Sequence, residues 1–212
     1  MKALRRKLGR AQRQAAPAVT EVIRLMLDQL GKGPHATRDR ALLLLGFAGA
    51  LRRSELVALD LADVVFTAAG AVITLHRSKT DQEGAGTTKG IPLGSKPDTC
   101  PVRALKAWLD AASVSSGPIF RPIDRHGNIK PSRLNSASVA RIVKRAAAAA
   151  GLDADTFSGH SLRAGLATAA AAAGVGERSI QKQTGHKSRA MLDRYIRDGQ
   201  LFKDNAAGQV GL

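Results

Sequence analysis

Tyr195 is the only tyrosine in the chain, and it stands between Arg194 and Arg197 in MLDRYIRDG, seventeen residues from the last position. A phenol there can be surface filler or a nucleophile. Phenol attacks poorly near its unperturbed pKa of ~10, so cations on either side favour the phenolate that a nucleophile requires. Four other stretches hold residues of matching chemistry. FSGHSLRAG sets His160 and Arg163 three apart at the start of a helix, hence on one face. TGHKS supplies His186 just ahead of another helix, and GALRRSELVALDLADV supplies Arg52 and Glu55, again three apart. HRSKTDQ adds Lys79 at the end of a strand. Two guanidiniums stay charged at any working pH and fork onto anionic oxygens, while imidazoles take or give a proton near neutrality. Taken alone, each of these is the pattern of an ordinary structural pair or an exposed residue. Their combination is what asks for a common explanation.

The elements that must position them are mostly helices. Thr20 is placed to cap a helix through EVIRLMLDQL that Gly31 stops. A second, apolar helix is predicted from Thr37 to about Gly49, and RSELVAL forms a short third. The period then changes. DVVF, a turn at TAAG and AVITLH read as a β-hairpin, and TTKGIPLG as a third strand beyond the polar loop KTDQEGAG. Helices resume at about 101–113, 136–150, 160–173, 177–184 and 188–197, with Gly151 and Gly174 as stops. The expected fold class is α+β, mainly helical, with a small antiparallel β-sheet.

Composition narrows the partner. Lys and Arg outnumber Asp and Glu by 33 to 17, a net charge of +16, and the apolar fraction is that of a chain able to bury a core. Such a surplus of cations points to a polyanion, with nucleic acid first because neutralised phosphates release counterions. An anionic membrane surface comes second, since no apolar run approaches the ~18 residues of a spanning helix. ALLLLGFAGAL reads as a core helix, and the basic start MKALRRKLGRAQRQ lacks the apolar stretch of a secretory signal. A single cysteine, Cys100, excludes an intrachain disulfide framework and points to a cytoplasmic, nucleoid-associated setting.

The chain resembles the tyrosine recombinase (phage integrase) family in its catalytic domain. A glycine, Leu51, Arg52, two residues and Glu55 followed by LVALDLADV match the first arginine box. Lys79 in RSKT matches the hairpin lysine, SGHSLRAG the second box, TGHKS the third, and Tyr195 in RYIR the nucleophile. The boxes stand in family order across residues 20 to 200. The resemblance implies a tyrosine recombinase catalytic-domain-like bundle, and strand cleavage and rejoining through a 3′-phosphotyrosyl intermediate with a free 5′-hydroxyl on the other fragment. It implies double-stranded DNA as partner, protomers monomeric when free and assembling up to a tetramer on DNA, and no membrane.

The residue types suit that chemistry on physical grounds. Attack of a side-chain oxygen on a phosphodiester builds a phosphorane with added negative charge on its non-bridging oxygens, where Arg52 and Arg163 can fork. His160 and His186 can donate further hydrogen bonds, and a neutral His160 can accept the phenol proton. Lys79 is the expected donor to the departing 5′-oxygen, with Lys89 on the next strand the reserve, and Glu55 orients Arg52 or a histidine. The tyrosyl ester conserves the energy of the broken bond, so no ATP is needed. Neither cofactor nor metal is expected, because the histidines are scattered and the acids show no ligand spacing.

Other residues read more plainly. His76, His126 and His35 are expected at the surface or in loops, Trp108 in the core, and Cys100 as structural. The helix SVARIVKRA carries Arg141, Lys144 and Arg145; the resemblance implies that it approaches DNA, with Arg133 and Ser138 nearby. Arg5, Arg6 and Lys7 belong to a basic stretch, residues 1–17, that resembles a linker. Residues 18–212 are then the catalytic domain, and the N-terminal core-binding domain usual in the family is expected to be absent. The neighbouring alternatives are a type IB topoisomerase-like enzyme that relaxes one duplex, and a catalytically silent DNA-binding regulator.

Overall fold

The computed structural model describes residues 15–76, 86–186 and 188–199. Lys79, Arg5, Arg6 and Lys7 therefore lie outside the described residues, as does the tail from residue 200. Eight α-helices and three strands occur among the described residues. They are α1 (Thr20–Asp28), α2 (Pro34–Ala48), α3 (Arg53–Ala58), β1 (Val64–Thr67), β2 (Gly70–Leu75), β3 (Thr87–Pro92), α4 (Pro101–Ala111), α5 (Ser136–Ala149), α6 (Ser161–Ala172), α7 (Glu177–Thr184) and α8 (Arg189–Gly199).

Helix α2 is the hub. Its run ALLLL is buried on every side, from Ala41 through Leu45, because the helix packs against α4 and α6 and also touches α1, α3 and α5. A helix apolar all round belongs in the middle of a bundle. Trp108 of α4 is fully buried against it and satisfies its indole N–H on the carbonyl of Ile119 at 2.9 Å. The sheet has the order β1-β2-β3, antiparallel throughout, with Ile73 opposite Val64 on one side and Lys89 on the other. Alternation along β3 turns Lys89 and Ile91 inward and leaves Thr88 and Gly90 out.

Three local expectations change. Val19, not Thr20, occupies the N-cap of α1, and no side chain caps it, so Thr20 is the first helical residue. Helix α2 begins at Pro34 rather than Thr37, because proline is preorganised for the first turn of a helix. His35 consequently lies in that first turn and not in a loop.

The core has two parts. The larger joins α1 to α5, the sheet and Leu162 of α6. The smaller contains Ala167 and Ala171 of α6, Ile180 of α7, and Leu192 and Ile196 of α8, with Tyr195 packed at its edge. The chain enters across α6: the N–H of Ala18 donates to the carbonyl of Ser161 at 2.9 Å. The approach is so close that a Cβ on Gly165 would stand 2.0 Å from the carbonyl oxygen of Ala18.

Candidate active site

Arg52 stands at the N-cap of α3, where the backbone leaves α2 through Ala50 in the left-handed region at φ 46°. That conformation costs about 1 kcal/mol or more in a residue with a Cβ, so neighbours must hold it. They do. The carbonyl of Ala50 accepts a hydrogen bond from Nη1 of Arg163 at 2.8 Å, and the preceding carbonyl, Gly49, accepts one from Nζ of Lys89 at 2.7 Å. Glu55 gives both carboxylate oxygens to Arg52: Oε2 accepts the main-chain N–H at 2.8 Å and Oε1 pairs with the guanidinium. Of the two partners open to Glu55, the structure selects Arg52.

Lys89 is a residue that sequence reasoning held only in reserve. It is 6 % exposed and donates to Gly49 and, at 2.6 Å, to the carbonyl of Gln183 near the end of α7. Gln183 answers by donating its amide to the carbonyl of Ala48 at 2.8 Å. Strand β3, the end of α2 and the end of α7 are thereby tied together, with the ammonium as the shared donor. Burial lowers the Lys89 pKa to about 8; Arg163 and Arg52 lower it too, while Glu55 acts in the opposite sense. The inward register of β3 was the signal that could have found it.

Helix α6 carries His160 at its N-cap and Arg163 in its first turn. Arg163 is 2 % exposed; burial and then Arg52 lower its pKa to about 10, which leaves it charged near neutral pH. His160 reaches the surface, but the protein behind its ring withholds enough water to lower its pKa, with Arg163 and Arg52 adding to the effect. Its Nε2 lies 2.9 Å from the Tyr195 hydroxyl. The ring of His186 stacks on that of Tyr195 with centroids 5.7 Å apart and planes 28° apart. His186 follows Gly185, whose φ of 64° ends α7, and Gln181 secures it by donating to its carbonyl at 3.0 Å. Burial lowers its pKa to about 4, helped by Arg163, His160, Arg52 and Lys89.

The structure thus brings six residues from four segments together: Arg52, Glu55, Lys89, His160, Arg163 and His186, with Tyr195 against the two imidazoles. With both histidines neutral near pH 7, the excess charge of the site is positive. It can bind an oxyanion, take the phenol proton at an imidazole and stabilise charge built at a reacting centre. No cluster of three or more His, Cys, Asp or Glu suited to a metal ion occurs among the described residues.

The basic residues around α5 divide. Arg133 is exposed but lies along the end of α3 and caps it, its Nη1 donating to the carbonyls of Val57 at 2.8 Å and Ala58 at 2.6 Å and its Nη2 pairing with Asp60 at 2.6 Å. Lys144 pairs with Asp155 at 2.9 Å, and Arg145 with Asp39, which also holds the buried Arg38. Arg141 is exposed, its Nη2 donating to the Ser138 hydroxyl at 2.8 Å. His76 pairs with Asp63 at 2.6 Å, and Cys100 caps α4 by accepting from the N–H of Arg103 at 3.5 Å.

Residues 19–200 match the model of the phage integrase family. The chain is 46 % identical over 211 residues to the integrase/recombinase xerD homolog of Selenomonas ruminantium, a match covering 99 % of this chain and 62 % of that protein. It is 33 % identical over 186 residues to tyrosine recombinase XerC 1 of Ralstonia nicotianae, covering 85 % and 55 %. The chain therefore spans between about half and three-fifths of the length of these relatives. Among solved structures it is similar to the XerH site-specific recombinase bound to palindromic difH substrate in a post-cleavage complex (TM-score 0.67, 21 % identity, covering 92 % of this chain and 52 % of that one). It is also similar to a lambda integrase dimer bound to a COC′ core site (TM-score 0.65, 18 % identity, 89 % and 50 %). At these identities the structural likeness speaks for the fold.

Proposed function

The chain belongs to the phage integrase family, and from that premise we propose that it cleaves and rejoins DNA strands site-specifically with Tyr195 as the nucleophile. The observation that carries this reading is the convergence of two arginines and two neutral histidines on one tyrosine, with His160 Nε2 2.9 Å from the phenol oxygen.

The steps follow from the groups. A phosphodiester enters with its non-bridging oxygens on Arg52 and Arg163, whose forks stabilise the phosphorane more than the ground state. Tyr195 passes its proton to His160 as its oxygen bonds to phosphorus. The bond from phosphorus to the 5′-oxygen breaks, and Lys79 protonates that oxygen. The product is a 3′-phosphotyrosyl ester and a free 5′-hydroxyl. Attack by a 5′-hydroxyl of another strand reverses the sequence and restores the phenol, so the number of phosphodiester bonds is unchanged.

Lys89 is a brace rather than the acid in this reading, because both of its hydrogen bonds go to main-chain carbonyls. Double-stranded DNA is the partner, met by the exposed face of α5 through Arg141 and Ser138 and by Arg5, Arg6 and Lys7. Arg133 and Lys144, which have intramolecular partners, contribute less. Protomers are monomeric when free and assemble up to a tetramer on DNA, in a cytoplasmic, nucleoid-associated setting; the segment from residue 200 supports that assembly. The test is to recover DNA covalently attached to the protein from cells and sequence its ends. A common junction sequence bearing 3′-phosphotyrosyl linkage is expected, and an intact protein that yields no attached DNA excludes the reading.

A further inference from the structure

The Thr184 side chain is fully buried, and its hydroxyl touches two kinds of partner. Its Oγ lies 2.7 Å from the carbonyl oxygen of Ile180, one turn back in α7, and 2.8 Å from Nδ1 of His186. These contacts are not independent. A carbonyl oxygen cannot donate, so at 2.7 Å the hydroxyl proton must point to Ile180. A hydroxyl has one proton. Its oxygen is therefore the acceptor towards His186, and the proton of that second bond belongs to Nδ1. Gln181 fixes the same residue from the other side through its main-chain carbonyl, so neither the ring nor the backbone of His186 can turn without breaking a bond.

We infer that Thr184 is a positioning residue that fixes neutral His186 as the Nδ1–H tautomer and so gives its Nε2 the lone pair. The state of the second ring nitrogen of a histidine is set by the hydrogen bond made at the first. The consequence for the site is directional. A neutral His186 offers an acceptor, not a donor, at Nε2. It becomes a donor to a non-bridging oxygen only by taking up a proton, and Thr184 continues to accept from Nδ1 in that charged form. The burial and the neighbouring cations that hold the ring neutral agree with an acceptor in the resting site. A leucine or valine at position 184 fills the same volume but gives Nδ1 nothing to donate to.

The chemical meaning of this inference rests on the strand-transfer reading, but its decisive test does not. Nitrogen-15 correlation spectra of the full chain, with the His186 signals assigned by their loss in His186→Gln, report the tautomer directly. Near pH 7 the wild type and Thr184→Ser should show a protonated, pyrrole-type Nδ1 and a pyridine-type Nε2. Thr184→Val should lose that pattern, with the proton moving to or exchanging with Nε2. A wild type with its proton on Nε2 overturns the assignment, and so does a valine variant with an unchanged pattern. On the junction sequence recovered from cells, Thr184→Val should form covalent adduct roughly 10- to 100-fold more slowly, short of the loss expected for a positioned acid or base itself, while serine restores the rate. Equal rates in all three proteins would remove the catalytic consequence. If no protein forms adduct, including the wild type, the strand-transfer reading fails while the spectra still decide the tautomer.

Discussion

The two halves of the site are held in different ways. Arg52, Glu55, Arg163 and Lys89 are fastened to main-chain carbonyls and amides: Ala50 to Arg163, Gly49 and, from the end of α7, Gln183 to Lys89, the amide of Arg52 to Glu55. Their surroundings are the large core that includes α2 and the sheet. Tyr195 rides on α8, which packs on α6 and α7 through the small cluster of Ala167, Ala171, Ile180, Leu192 and Ile196. The contrast separates two tasks. Stabilising charge in a transition state requires groups that do not reorganise, and a mesh of buried hydrogen bonds supplies that. Delivering the proposed nucleophile requires that a helix be placed correctly, and α8 is placed by its apolar packing on α6 and α7 together with the contacts of Tyr195 to His160 and His186.

The largest expected effect isolates the delivered group. Tyr195→Phe keeps the ring and its stacking but loses the oxygen, so adduct formation should vanish while DNA binding stays within about twofold of wild type; persistent adduct would move the nucleophile elsewhere. Next come the groups proposed to act on the phosphate. Lys79→Ala should slow cleavage ~10²- to 10⁴-fold, the range of a positioned acid. A substrate with sulfur at the bridging 5′ position has a leaving group that needs no proton, so this variant should regain most of its rate there. Arg163→Ala should lose about 10²- to 10³-fold, as expected for removal of one charge-stabilising donor, and remain slow on both substrates. If both variants respond alike to sulfur, the division between acid and charge stabiliser is wrong.

A smaller effect tests the division of the fold itself. Leu192 is 1 % exposed in the small cluster, and Leu192→Ala should remove about 2 to 5 kcal/mol of packing there. Hydrogen exchange should accelerate in α8 and leave the amides of α2 and the sheet near their wild-type protection. Uniform acceleration would mean that the two cores are one cooperative unit.

The smallest effect concerns pH. His186 takes up its proton at about pH 4 in the folded chain against 6.5 for an unperturbed histidine, so between those values the unfolded chain binds more protons. Stability should therefore fall as the pH is lowered from 6.5 towards 4. His186→Gln should flatten that part of the curve in a thermal melt series, and a curve with unchanged slope would show that the ring is charged at no cost to the fold.

Much of this was readable from residue order. The His160 and Arg163 pair and the Arg52 and Glu55 pair follow from spacing within a turn, the three strands from the change of period, and the burial of Trp108 from its apolar helix face, while the grouping of those pairs into one site came from the resemblance. What escaped depends on contacts distant in sequence. Lys89 reads as a reserve proton donor, and its bonds to Gly49 and Gln183 become visible only when β3 pairs with β2 and turns it inward; the bonds of Arg133 to the end of α3 likewise join residues far apart in sequence. Ala50 gives no warning of a positive φ, since alanine avoids that region when nothing compels it. Thr184 is legible only in part: its place two residues before His186 is plain, but the direction of its proton needed the carbonyl of Ile180.

The contact between Gly165 and Ala18 governs something other than catalysis, namely the route of the polypeptide. Any side chain at position 165 would occupy the space through which residues 16–18 cross α6. A larger residue there would force the crossing backbone to shift, and with it the bond that Ala18 makes to Ser161, between His160 and Arg163. A single hydrogen atom in place of a methyl group thus keeps open the crossing by which the backbone leading into α1 passes over the helix that carries His160 and Arg163.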